Sequence, residues 1–196
     1  MRRTISIVFM VWLLLVAPAQ AATPLEYTRT ILEQARAIVA SDQIHNDKLA
    51  ALSALFGKFL DTDAMGQEAL GPYWSSFSPA QQKEFLVLFR ELLQRTYVQK
   101  LLLFENPNFR YAGEQLTGTA ATVDTKIVTP RDEFDVIYRL RPAGDAWLAT
   151  AITVEQVSLT ANLGSQLNDL LSRMSVDDLL TLMRRKYGNA GGSAPS

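Results

Sequence analysis

The stretch Ser78–Phe104, SPAQQKEFLVLFRELLQRTYVQKLLLF, decides how the chain is read. Ser78, Pro79 and Gln81 spell a helix start. The Ser78 side chain can accept from the Gln81 amide while Gln81 reaches back, as in a capping box. Pro79 takes the first helical position, where its missing N–H costs nothing. After Pro79 neither Gly nor Pro recurs until Pro107. A helix of roughly 26 residues is expected, ~39 Å long at 1.5 Å per residue. Its apolar residues include Phe85, Phe89, Leu93, Tyr97, Leu101 and Phe104, and they form a stripe wider than one seam. Such a helix needs partners on more than one side. The stripe reads first as the core face of a globular domain; the sharper reading is that part of it lines an apolar cavity.

Working outward towards the N-terminus, Tyr73, Trp74 and Phe77 form an aromatic link into this helix. Asp61 opens a short helix that ends near Gly71-Pro72, a stop signal. Before it, Leu49, Leu52, Leu55, Phe56 and Phe59 recur at helical spacing, with Asn46 or Asp47 as the expected cap. Thr23-Pro24 starts a first helix bearing Leu25, Thr28, Ile31, Leu32, Ala35, Ile38 and Val39.

On the C-terminal side the period changes from about four to two. Strands are expected over Phe109–Glu114, Ala120–Val128, Phe134–Arg141 and Ala146–Val157, with turns at Gly118, Pro130-Arg131-Asp132 and Pro142–Asp145. Short connections between period-two runs imply an antiparallel meander of about four strands. Helical spacing returns at Leu159, Leu163, Leu167, Leu170 and Leu171, and Ser175 caps a last helix that ends at Gly188. The predicted fold class is α+β: N-terminal helices and one long helix packed on a curved antiparallel sheet, with C-terminal helices.

The ends read differently. Arg2 and Arg3, the apolar run Ile5–Val16 and the small-x-small triplet Ala19-Gln20-Ala21 form a secretory signal peptide over residues 1–21. Residues 22–187 are expected to be one domain, and 188–196 a disordered tail. Without Met1–Ala21 the chain carries 17 basic and 20 acidic residues, net −3. That balance speaks against a nucleic-acid partner, which requires a basic face. There is no cysteine, so disulfides, thiolate catalysis and thiolate metal sites are excluded.

Catalytic material is sparse. His45 is the only histidine and lies in a polar connection. Asp61-x-Asp63 and Asp177-Asp178 stand where helix starts favour acids. Asp124 and Asp135 have Lys126 and Arg139 for neighbours and read as a solvated sheet face. Glu155 has no evident partner for acid–base work. No cofactor and no metal is expected, and the chain reads as a non-enzyme. What stands out is the surplus of apolar residues on helices and strands alike. The candidate cavity-lining residues are Phe89, Leu93, Tyr97, Leu101, Val123, Tyr138, Trp147 and Val154.

Several runs in order carry a family likeness: Phe59-Leu60-Asp61-Thr62-Asp63-Ala64-Met65, Ala69-Leu70-Gly71-Pro72-Tyr73-Trp74, Ser78-Pro79-Ala80-Gln81-Gln82 and Thr96-Tyr97. Further on come Ala121-x-Val123-x-Thr125-x-Ile127, Tyr138-Arg139-Leu140 and Val154-Glu155-Gln156-Val157-Ser158-Leu159. Together they resemble the MlaC (toluene-tolerance) family, over about Thr23 to Lys186. The resemblance implies a periplasmic protein that binds phospholipid or a related lipid. It also implies a shuttle between inner-membrane and outer-membrane components of an ABC-type lipid transport system. Thr150-Ala151, Gln156 and Gly164 depart from the family pattern, which usually has Tyr-Asp, Gly and a basic residue there; such changes also suit a divergent paralogue resembling the hopanoid-associated relatives. In the implied mechanism tails enter the cavity and the headgroup stays outside. About 30 methylenes at ~0.8 kcal/mol each make ~24 kcal/mol against water, so tails do not cross water unaided. Two other readings stand beside the carrier: a non-ligand envelope adaptor, and a small-molecule enzyme on a cone-shaped α+β fold.

Overall fold

The structure, a computed structural model, describes residues 22–103 and 107–188. The expected signal peptide and all but the first residue of the expected tail lie outside the described residues. α1 (Pro24–Ala40) starts at Thr23, whose side chain accepts from the Glu26 amide in a full capping box. α2 (His45–Phe59) begins two residues earlier than a cap at Asn46 would have it and three earlier than one at Asp47. Its cap is Ile44, with no side-chain hydrogen bond, so neither Asn46 nor Asp47 serves as the cap. α3 (Thr62–Leu70) is capped by Asp61, which accepts from the Ala64 amide at 3.0 Å. Gly71, at φ 51°, ends α3 in a conformation that favours glycine, and a 3₁₀ turn, Gly71–Ser76, follows.

The deciding stretch begins as expected. The Gln81 N–H donates to Ser78 Oγ at 3.4 Å, and the Ser78 N–H donates to Gln81 Oε1 at 2.8 Å. α4 (Pro79–Leu93) is regular, but the single long helix is not realised. A π-helical turn, Gln94–Val98, interrupts it, and the short α5 (Gln99–Leu101) follows. Residues 104–106, at the expected end, fall outside the described residues. The interruption has a physical reason. A π turn accommodates an extra residue and so changes the phase of the helix. Upstream, Phe85, Phe89, Leu92 and Leu93 bury against helices; downstream, Val98 buries against the sheet.

Five antiparallel strands run in sequence order: β1 (Asn108–Thr117), β2 (Ala120–Val128), β3 (Glu133–Ala143), β4 (Ala146–Val154) and β5 (Val157–Ser158). The expected last strand is thus two. Glu155 and Gln156, at φ 48° and 65°, turn the chain back, and Val154 pairs with Val157. The alternation read from the sequence is the observed one. Val123 faces Tyr138, Thr125 faces Val136 and Ile127 faces Phe134 across β2–β3. Register breaks at Tyr111/Gly113 and at Arg139/Leu140 mark bulges, which bend strands and increase twist. α6 (Leu159–Leu171) and α7 (Val176–Tyr187) complete the chain.

Two apolar clusters result. The first joins α1, α2 and the inner sheet face through Leu32, Leu52, Phe56, Phe59, Val123, Val136 and Leu140. The second is helical: Met65 and Leu70 of α3, Phe85 and Phe89 of α4, Leu163 and Leu167 of α6, Leu179 and Leu180 of α7. Glycine sets how closely the helices approach. A Cβ on Gly164 would lie 2.9 Å from the Ala69 carbonyl oxygen, and one on Gly66 would lie 2.8 Å from Leu86 Cδ2. Gly164 therefore lets the backbones of α3 and α6 touch where a long basic side chain has no room. At the junction of the clusters the Asp61 N–H donates to the Ala149 carbonyl at 2.9 Å, and Arg141 Nε donates to Asp61 Oδ2 at 2.6 Å.

Candidate functional site

Between α1, α2, the π turn with α5, and the inner face of the sheet lies a cavity of about 360 Å³. Leu32, Ala35 and Val39 come from one face of α1, at a spacing of three and four. Phe56 and Leu60 come from α2 and its end, Tyr97, Val98 and Leu101 from the π turn and α5. The sheet contributes Phe109, Ile127, Phe134, Val136, Tyr138, Ile152 and Val154, every one on the inward alternation of its strand. The walls are almost wholly apolar. Arg36 and Lys100 are the charged liners among the described residues, and both side chains reach into solvent.

Four of the eight sequence-derived candidates stand on this wall: Tyr97, Leu101, Tyr138 and Val154. The other four do not. Phe89 and Leu93 belong to the helical cluster upstream of the π turn; Tyr97, within the turn, packs against the same cluster and also stands on the wall. Val123 is fully buried within the core that joins the sheet to α1 and α2. Trp147 is half-buried, and its Nε1 donates to the Ala22 carbonyl at 3.1 Å, which ties down the start of α1. The α1 and α2 liners escaped the sequence reading. Their signal was present in the spacing Leu32, Ala35, Val39, but it looks the same for core and for cavity wall.

The electrostatics suit a dry site. Burial pushes the Tyr138 phenol well above its ordinary value, with the neighbouring Thr125 pulling the other way. Burial raises Tyr97 as well. Both remain neutral phenols near pH 7. No carboxylate or imidazole lines the cavity among the described residues. The acids singled out from sequence have structural duties. Asp61 caps α3, and Asp178 accepts from the Ser175 N–H in the capping box that starts α7. Asp177 Oδ1 accepts from Gln81 Nε2 at 2.7 Å, Asp135 pairs with Lys126 at 2.8 Å, and Glu155 Oε1 accepts from the Asp135 amide at 2.6 Å. His45 is exposed at the start of α2. Among the described residues no three His, Cys, Asp or Glu side chains gather as a metal site, and no helix is long and apolar enough to cross a membrane.

A neutral, oily hollow roofed by helices on a bent sheet defines a binding protein for apolar ligands. Residues 27–185 match the family model described as MlaC protein, and the chain belongs to that family. The family consists of periplasmic lipid carriers, not enzymes. Among solved structures the fold is similar to a phospholipid-binding protein from Ralstonia solanacearum in complex with a phospholipid. The TM-score is 0.72 at 21% identity, over 83% of this chain and 95% of that one.

Proposed function

We propose that this protein carries phospholipid through the periplasm, with acyl chains inside the cavity and the headgroup at its mouth. The donor and acceptor would be the inner-membrane and outer-membrane components of a lipid transport system. The observation that carries this reading is the apolar hollow itself. A hollow of about 360 Å³ forgoes side-chain contacts that a filled core would make. An apolar wall left without side-chain neighbours supports an apolar occupant. Cavities of this kind, roughly 300–1,000 Å³, are the usual small-ligand sites. Membrane and cavity both shelter tails from water, so transfer between them is close to neutral and requires no chemistry. Removal of Met1–Ala21 would leave Ala22 as the first residue, held by Trp147.

Native mass spectrometry after purification in mild conditions tests this. About one phospholipid per chain is expected. Filling the hollow with Ala35→Phe should reduce lipid occupancy several-fold while the protein stays folded. A protein that copurifies with no lipid and takes none from vesicles would sink the reading.

A further inference from the structure

The mouth of the cavity differs in charge from the rest of the molecule. The chain past Ala21 is net negative, yet the two charged side chains that line the hollow are both cations. They come from different elements, Arg36 from α1 and Lys100 from α5, and both are exposed. Neither is consumed by its neighbours. Arg36 Nε donates to Glu33 Oε2 at 2.8 Å, which leaves the two terminal amino groups of the guanidinium. Glu33 is itself engaged on its other oxygen, which accepts from the Tyr111 hydroxyl at 3.1 Å. Lys100 Nζ lies 5.7 Å from the Tyr97 ring centroid, a cation–π contact, and has no carboxylate partner among the described residues. An ammonium kept over an aromatic ring at the rim of an oily wall retains its hydrogen-bond donors for an incoming anion.

We infer that Arg36 and Lys100 form a headgroup subsite that favours anionic phospholipid over zwitterionic phospholipid. This rests on the carrier reading above. With tails in the hollow, the phosphodiester comes to the lips, where the guanidinium edge and the ammonium meet its oxygens. A choline or ethanolamine head would bring a third cation to the same place and offset part of that attraction. Among the described residues the groups facing the subsite are Glu33, Tyr97, Tyr111 and Arg29, whose guanidinium lies 4.5 Å from the Tyr111 ring centroid. Of these only Glu33 is anionic, and it is engaged by Arg36 and Tyr111, so the balance among these groups is positive.

The test is competitive loading of the full-length processed protein from vesicles of equimolar dioleoyl phosphatidylglycerol and dioleoyl phosphatidylcholine. The bound lipids are then counted by mass spectrometry. Exposed charge contacts are individually weak, so an enrichment of about fivefold for phosphatidylglycerol is expected from two of them. It should shrink as salt is raised, because charges at a solvated rim are screened. R36Q/K100Q should bring the ratio near one, and R36K/K100R should restore it. Equal loading by the unaltered protein, or an undiminished preference in R36Q/K100Q, overturns the subsite and leaves the carrier standing. Failure to load either lipid overturns both. Inorganic phosphate shares the headgroup chemistry but has no tails. In excess at constant ionic strength it should leave the enrichment in place; if it erases the enrichment, the lips are a site for free phosphate and the headgroup reading falls.

Discussion

Phe85 and Phe89 stack with ring centroids 5.5 Å apart in the helical half and have no solvent exposure, whereas Phe56 and Phe109, of equal bulk, face a hollow. The two halves draw on the same residue types. What differs is the partner. Helices with glycine at their contacts close until backbones touch, as α3 and α6 do at Ala69 and Gly164. A bulged sheet bends instead, and a helix laid across its inner face meets it only along part of its length. Apolar patterning alone thus yields a solid on one side and a vessel on the other.

Truncating one large side chain in each half gives the widest separation. Phe85→Ala removes a ring from a filled core and should cost about 3–5 kcal/mol. Ile152→Ala acts on a half-buried wall that already faces empty space, so a loss of about 1–2 kcal/mol is expected, below most filled-core truncations. Urea unfolding of the lipid-free protein measures both. Equal losses would mean that the hollow is packed as tightly as the helical half and would undo the contrast.

Adding atoms should reverse the asymmetry at a smaller scale. Gly164→Ala places a methyl 2.9 Å from a backbone oxygen that cannot swing aside, and about 1–3 kcal/mol of stability should be lost. Ala35→Leu adds three carbons at a buried position that borders the hollow, so it should cost no more than about 1 kcal/mol while reducing the room for a ligand. Thermal unfolding of the lipid-free variants checks the pair. Tolerance of Gly164→Ala would show that α3 and α6 can part.

The sequence showed the elements better than it showed the hollow, and particular residues explain why. Periodicity placed β2 at Ala120–Val128, because a half-buried strand must alternate, but it did not fix the register: Asp124 pairs with Ile137 and Asp135 with Lys126. Capping chemistry located Thr23, Ser78 and Ser175 for the same local reason. The π turn at Gln94–Val98 left no mark in a four-residue stripe that runs through it unchanged, yet Phe89 and Leu93 before it sit in the helical half while Val98 at its end joins the sheet core. Ile44 as a cap defied the rule that favours Asn46 or Asp47, since nothing local required α2 to begin at the better residue. Whether an inward residue meets a neighbour or a void depends on how distant elements curve, and no local pattern encodes that.

The joint between the halves supplies the smallest effect. Between β4 and β5 the chain reverses through Glu155 and Gln156, both with positive φ, and β5 leads at once into α6. An L side chain in that conformation costs roughly 1–2 kcal/mol, which glycine avoids. Glycine in turn loses more freedom on folding, about 0.5–1 kcal/mol. The difference predicts that Gln156→Gly stabilises by about 0.5–1 kcal/mol, a rise of about 1–4 °C in Tm for a chain of this size. Glu155 should not behave the same way. Its carboxylate accepts the Asp135 amide at 2.6 Å and its own N–H donates to the Asp135 carbonyl at 3.0 Å, so Glu155→Gly gives up a side-chain tie across the sheet along with the strain. A Tm that falls in Gln156→Gly would show that the side chain at 156 contributes more than its backbone conformation costs, and that this joint is held by contacts rather than by turn geometry.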